Sequence, residues 1–113
     1  MTRTKLPQRR EALNISIIHP GTENHVRPVT YDIAIGFPGG IPERDPKEVF
    51  ISCNKVATAL DVAARDIATL ISIAMQHGAM VDELAAAMTR GDHGEPQGVA
   101  GAVLDAVIQE MAA

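Results

Sequence analysis

The sequence predicts an α+β domain, in which a three-stranded antiparallel meander is followed by three helices packed on one face. Residues 28–37 alternate apolar and polar side chains over ten positions, which is typical of a strand with one buried face. Two further segments before residue 54 have a strand pattern, whereas apolar side chains after residue 58 recur at helical spacing. Strands that come first, with helices after them, are the α+β order.

The strands are predicted at residues 12–19, 28–37 and 47–53, with short connections between them. The outer two each have an apolar face, formed by Leu13, Ile15 and Ile17 in the first and by Val49, Ile51 and Cys53 in the third. Pro20-Gly21 indicates a hairpin loop, and Pro38-Gly39-Gly40 indicates a turn rather than a phosphate-binding loop. Consecutive strands with short connections favour antiparallel pairing.

Three helices are predicted, over residues 58–76, 82–90 and 99–111, with Thr58 and Asp82 as N-caps of the first two. Gly78 suits the left-handed residue after the first helix. That helix has a narrow polar stripe, made of Asp61, Arg65, Thr69, Ser72 and Gln76. Its remaining surface is apolar over a wide arc that includes Leu60, Val62, Leu70 and Ile73. We therefore expect the helix to be buried on most of its circumference, by the later helices or in a homodimer. On the last helix, Gly101, Asp105 and Gln109 are expected to face water.

Length, charge and cysteine content limit the function. A chain of 113 residues fits one domain, here residues 11–113, preceded by a flexible basic arm over residues 1–10. The arm contains Arg3, Lys5, Arg9 and Arg10 without an acid, and it is interpreted as a solvated terminus or as a phosphate-binding arm. The net charge of −4 argues against general nucleic-acid binding. A single cysteine allows no intrachain disulfide, and no membrane-spanning or signal segment is recognised, so we expect a cytoplasmic protein.

The strand-to-helix junction is the predicted ligand site, formed by Asn54, Lys55, Ala57 and Thr58. A lysine beside the free N–H groups of a helix start favours a nucleotide-like anion or phosphate. The alternative is a solvated Lys55 and a Thr58 that only caps the helix. Cys53, just before the junction, is interpreted either as a reactive thiol or as a buried, inert one.

No catalytic residue, metal site or directly bound cofactor is predicted. His19, His25 and His93 lack HExxH spacing, and a lone cysteine excludes zinc sites built on several cysteines. The chain also shows no arrangement of serine, histidine and acid typical of a hydrolase.

From residue 28 to residue 112 the chain resembles the TSCPD domain, found near the C-terminus of cobalamin-dependent (class II) ribonucleotide reductases. The resemblance rests on EVFIS in the third strand, a lysine before a helix, DIATLISIAMQHGAMVDELAAAM and GAVLDAV. The sequence departs from the family at its naming motif, where Ala102, Val103 and Leu104 precede Asp105, so that only Asp105 remains of the motif. The family's Gly-Ser after the lysine is also replaced, by Ala57 and Thr58.

The resemblance implies an accessory binding domain that acts through a partner protein or a nucleotide-like anion. An alternative is a small subunit that completes a ribonucleoside-diphosphate reductase in trans for deoxyribonucleotide synthesis, with cobalamin present only in the larger partner. A further alternative is a nucleic-acid accessory protein that uses the basic arm. Ribonucleotide reduction needs a large barrel and a redox-active cysteine pair, so we do not expect this chain to be a complete enzyme alone.

Overall fold

Three strands precede three helices in the computed structural model, which describes residues 2–3, 5–19, 28–54 and 58–112. The strands are β1 (Glu11–His19), β2 (Val29–Phe37) and β3 (Glu48–Cys53). The helices are α1 (Ala59–Gln76), α2 (Val81–Ala87) and α3 (Val99–Ala112), and a short 3-10 helix, Ile41–Glu43, lies between β2 and β3. The predicted α+β class is confirmed. None of the helices in the described ranges is long and apolar enough to cross a membrane.

The sheet has the order β1-β2-β3, and both pairings are antiparallel, as the meander predicts. Ile15, Ile33 and Ile51 lie side by side across the three strands. After β2 the chain turns at Gly40, whose N–H donates to the carbonyl of Phe37 at 2.9 Å. Gly40 has a φ of 93°, a conformation that glycine adopts without a steric cost. The predicted hairpin loop after His19 lies outside the described residues at positions 20–27.

The core lies between the sheet and the helices, and it is most complete over β2 and β3. The inward side chains of these two strands are all buried: Val29, Tyr31, Ile33, Ile35, Phe37, Val49, Ile51 and Cys53. They pack against buried residues of α1, α2 and α3, among them Ala64, Met75, Ala85 and Leu104. The inward residues of β1, Leu13, Ile15 and Ile17, are only partly buried. The strand β1 therefore lies at the margin of the core.

The ends of the helices agree with the sequence at α1 and differ at α2. The Thr58 side chain accepts a hydrogen bond from the N–H of Asp61, and Gly78 has a φ of 104° beyond the end of α1, so both predictions are confirmed. The prediction that Asp82 caps α2 is wrong, because the N-cap is Met80 and Asp82 lies within the first turn. A carboxylate there still interacts favourably with the helix dipole.

The prediction that Gly101 faces water is also wrong, and part of the polar stripe of α1 is buried. Gly101 is buried in α3 and packs closely against Pro96: an added Cβ there would lie 2.9 Å from Cβ of Pro96. On α1, Asp61 and Gln76 of the polar stripe are buried, whereas Leu70 on the apolar arc is 68% exposed. The helix is thus rotated so that much of its polar stripe faces the protein. The reason is the chemistry of the neighbouring strand edge.

Candidate functional site at the β3–α1 cleft

Polar side chains of α1 bind the edge of β3 that has no neighbouring strand. The hydroxyl of Ser72 accepts a hydrogen bond from the N–H of Val49 at 2.9 Å and donates to the carbonyl of Val49 at 3.0 Å. The Asp61 carboxylate accepts from the N–H of Cys53 at 3.2 Å. At the other end of the helix, Nε2 of Gln76 donates to the carbonyl of Lys47 at 3.0 Å. Buried backbone groups need such partners, so the stripe replaces a fourth strand at this edge.

A cleft of about 830 Å³ opens beside this contact, over the outer face of the sheet. Among the residues that line this β3–α1 cleft are Asn14, Ser16, Asp32, Phe50, Ser52, Arg65 and Thr69. Phe50 is 58% exposed, and the Arg65 side chain is 59% exposed. The hydroxyl of Ser16 donates to Asp32 at 2.7 Å. Acids and bases both line the cleft, so its charge does not specifically favour an anion.

The described part of the strand-to-helix junction is held together by Asp61. Besides accepting from the backbone of Cys53, its carboxylate accepts from Nε of Arg65 at 3.1 Å, while Asp61 itself is only 2% exposed. This carboxylate lies in the first turn of α1, where the helix dipole favours negative charge. An anion that approached this turn would meet an acid already in place, and this weakens the basis for the predicted anion site.

The four predicted junction residues fall into two groups. Thr58 caps α1, and Asn54 is exposed while its N–H donates to the carbonyl of Thr30 at 3.2 Å. Lys55 and Ala57 lie outside the described residues, so the structure does not place the predicted cation.

Cys53 is buried in the core, with 3% of its surface exposed. Its cross-strand neighbour is Tyr31, which is also buried. Burial raises the pKa of Tyr31, and the charge of a Cys53 thiolate would raise it further. A reactive cysteine needs solvent access and an electropositive setting. The position of Cys53 therefore agrees with the interpretation of a buried, inert thiol.

Two arginines of the basic arm contact the folded domain. Arg10 binds Glu48 through two hydrogen bonds, from Nε at 2.5 Å and from Nη2 at 2.7 Å, and Nε of Arg3 donates to the side chain of Gln76. The hydrogen bonds that Arg10 donates to the Glu48 carboxylate raise the pKa of the Arg10 guanidinium. Glu48 is 8% exposed and lies over Gly36, where a Cβ would be 2.4 Å from its Oε2. Sequence reasoning missed this pair, although a glycine within the alternating strand was its signal.

Asp105, the residue that the resemblance to the TSCPD domain matches to the last position of that family's naming motif, forms an ion pair that joins α3 to Arg90 after α2. Arg90 donates to its two carboxylate oxygens at 2.6 and 2.8 Å, and also to the carbonyls of Ala85 at 2.7 Å and Gly94 at 3.2 Å. The hydrogen bonds from Arg90 lower the pKa of Asp105 against a smaller opposing effect of burial. Arg90 thereby binds the C-terminal end of α2, the following loop and α3 together, which gives Asp105 a structural role.

The side of α1 that faces away from β3 is apolar and exposed. We call it the outer α1 face and define it by Ala59, Val62, Ala63 and Leu70. Val62 is 52% exposed and Leu70 is 68% exposed, and Asp66 is the exposed acid between them. The predicted wide apolar arc is therefore present, but within the described residues the later helices leave this part of it uncovered.

Within the described residues, no group of three or more histidine, cysteine or acidic side chains is arranged to hold a metal ion. Neither the family models, nor the curated proteins, nor the solved structures that were compared contain a match to this chain.

Proposed function

We propose that this domain is an accessory binding module that acts by docking a partner protein on the outer α1 face. The observation that carries the proposal is the exposure of Val62 and Leu70, at 52% and 68%, on a helix that directs Asp61 and Ser72 at the edge of β3. Burying one such aliphatic side chain contributes about 1.5–3 kcal/mol. Clustered exposed apolar residues are typical of a surface that binds another protein.

The resemblance to the TSCPD domain suggests the class of partner. In that family the domain belongs to a cobalamin-dependent ribonucleotide reductase, so a large reductase subunit is the first candidate. The partner would supply the cobalamin and the redox-active cysteines, and this chain would contribute binding. The alternative of a small subunit that completes the reductase in trans uses the same surface and differs in requiring the chain for turnover.

The polar residues of the described structure support binding more than independent catalysis. Asp61, Glu48 and Asp105 accept hydrogen bonds from other parts of the chain, around the cleft and the helix ends. Each of them holds two parts of the fold together, whereas a general acid or base must be available to a substrate. An anion is the less well supported ligand, because the cleft has mixed charge and Asp61 lies at the start of α1.

The test measures binding of the purified chain to the purified large cobalamin-dependent reductase of the same organism, by biolayer interferometry. We expect Leu70→Asp to weaken binding about tenfold or more, because a charge buried in an apolar contact is desolvated without a partner. Ile41→Asp is the matched control, since Ile41 is also exposed, at 38%, but lies in the 3-10 helix. It should bind like the wild type.

Inorganic phosphate and deoxynucleotides, added as competitors, should leave this binding unchanged. Equal loss of binding in both variants, or no binding of the wild type to the reductase, would contradict the proposal. Reductase turnover with and without the chain separates the two roles: an accessory module changes binding, whereas a completing subunit is required for the reaction.

A further inference from the structure

The two edges of the sheet differ in how their backbone groups are covered. At β3, Ser72 and Asp61 of α1 bind the backbone of Val49 and Cys53. At β1, the described residues supply no comparable cover: β1 is the terminal strand of the sheet, and its only strand partner is β2. A terminal strand with free backbone groups is a template for another strand.

The contacts at β3 also show which residues of β1 face the open edge. Val49 and Cys53 direct their N–H groups away from β2, so the alternate residues of β3 bond to β2. In an antiparallel ladder this alternation passes from strand to strand. It follows that the backbone groups of β1 that point outward belong to Ala12, Asn14, Ser16 and Ile18.

The sequence of β1 has little of the usual protection of an edge strand between its two end residues. Natural edge strands are interrupted by proline, by lysine or by inward-pointing charges. β1 is nine residues long and contains neither proline nor lysine, and its ionisable side chains, Glu11 and His19, stand at its two ends. Ile18, on the outer face, is 70% exposed.

We propose that a second copy of this chain pairs with β1 in antiparallel orientation about a twofold axis at Ile15, joining two three-stranded sheets into one of six strands. In this register Asn14 lies opposite Ser16 of the second copy, and Ala12 lies opposite Ile18. Polar side chains then meet polar ones on the outer face, and apolar side chains meet apolar ones. The four residues whose backbone groups point to the open edge all form hydrogen-bonded pairs, so each free N–H and C=O of that edge has a partner in the second copy.

The inner face of β1 is self-complementary in the same register. Ile15 lies opposite its own copy, Leu13 lies opposite Ile17, and Glu11 lies opposite His19, which pairs an acid with a base at each end. In the monomer, Oε2 of Glu11 accepts from the N–H of Ile41 at 2.7 Å and Nε2 of His19 lies 3.3 Å from the carbonyl of Gln97. Oε1 of Glu11 and Nδ1 of His19 are the atoms that the pairing would use.

The partial burial of β1 gives this pairing an apolar contribution. Leu13, Ile15 and Ile17 are only partly buried, while the inward residues of β2 are buried. A second β1 would extend the same apolar layer across the axis. Because the axis is perpendicular to the sheet, both helix layers lie on one side, and α1, which packs on β3, is remote from the contact. The outer α1 face stays free for the partner protein.

The first experiment measures mass by light scattering after size exclusion. We expect the wild type to have twice the chain mass of 12.0 kDa. Ser16→Pro removes an outward N–H and should give a monomer, and so should Asn14→Lys/Ser16→Lys, which places like charges opposite each other. Leu70→Asp, on the outer α1 face, is the control and should remain dimeric. A monomeric wild type, or a dimer that survives both edge variants, would overturn the proposal.

The second experiment tests the register and does not depend on variants that could weaken the strand. Under mild oxidation, Ile15→Cys should form an interchain disulfide, because residues opposite each other at the axis have their Cβ atoms within disulfide reach. Leu13→Cys and Ile17→Cys should each fail alone and cross-link when mixed. The wild type controls for Cys53, which is buried. Cross-linking of Leu13→Cys alone, without that of Ile15→Cys, would overturn the register.

Discussion

Replacing Ser72 with alanine should weaken the contact between α1 and β3 by an amount that the structure defines. The hydroxyl makes two hydrogen bonds, at 2.9 and 3.0 Å, to the N–H and the carbonyl of Val49, a residue that is 1% exposed. A buried polar group left without a partner costs about 1–3 kcal/mol. Alanine returns about 0.5 kcal/mol through its higher helix propensity. Since Ser72 also lines the cleft, water can replace part of the loss.

We therefore expect Ser72→Ala to lower the free energy of unfolding by about 1.5 kcal/mol, which corresponds to a fall in Tm of about 6 °C for a domain of this size. Urea denaturation followed by circular dichroism measures the first quantity. Thr69→Ala is the matched control, because the hydroxyl of Thr69 donates to the carbonyl of Arg65 within α1 itself, at 3.1 Å. Its effect should stay within about 0.5 kcal/mol.

Amide hydrogen exchange measures the effect of Ser72→Ala at the β3 edge itself. In Ser72→Ala the amide of Val49 should exchange faster than in the wild type, because its acceptor is gone. If Ser72→Ala costs no more than Thr69→Ala and the exchange of Val49 is unchanged, the hydroxyl does not hold the strand edge, and the explanation given for the orientation of α1 is wrong.

Two more predictions concern the ion pair of α3 and the single thiol. Arg90 lowers the pKa of Asp105 in the folded state, so the stability from the pair is present above the unfolded pKa of about 3.9 and is lost as the pH falls through the lower folded pKa. Asp105→Asn should therefore be less stable than the wild type at neutral pH, and the two urea midpoints should converge below about pH 4; a constant difference down to about pH 2 would contradict the assignment. Cys53, which is 3% exposed, should react slowly with a thiol reagent in native buffer and promptly in urea. Prompt labelling of the native protein would show that β3 opens readily.

The strands and the class of fold follow from the sequence because their signals are local. Apolar residues at every second position require a strand with one buried face, and this fixes which face of β2 and β3 is inside. The cap at Thr58 and the left-handed Gly78 are equally local, since each depends on the bond geometry of one helix end. These features needed no knowledge of distant contacts.

The orientation of α1 could not be predicted in the same way. A stripe of polar side chains at helical spacing is compatible with water and with an uncovered strand edge, and the sequence of the helix does not distinguish them. The distinguishing information lies in the fit of two separate elements. Asp61 and Ser72 are about 16 Å apart along a helix, close to the roughly 13 Å between Cys53 and Val49 along a strand. Only the folded chain shows that α1 and β3 lie side by side, with Ser72 at Val49 and Asp61 at Cys53.

Because α1 covers backbone groups of β3, it also determines how many edges of the sheet can accept another strand. A sheet with two open edges can add subunits at both ends and grow into a fibre, as heterologous contacts that do not close are known to do. Here Ser72 and Asp61 bind backbone groups of Val49 and Cys53 at one edge, so in the proposed dimer strands are added at β1 alone. Pairing of two β1 edges uses both of them, and assembly stops at two. If the chains pair as proposed, the hydroxyl of Ser72 helps to stop further assembly as well as supporting one strand.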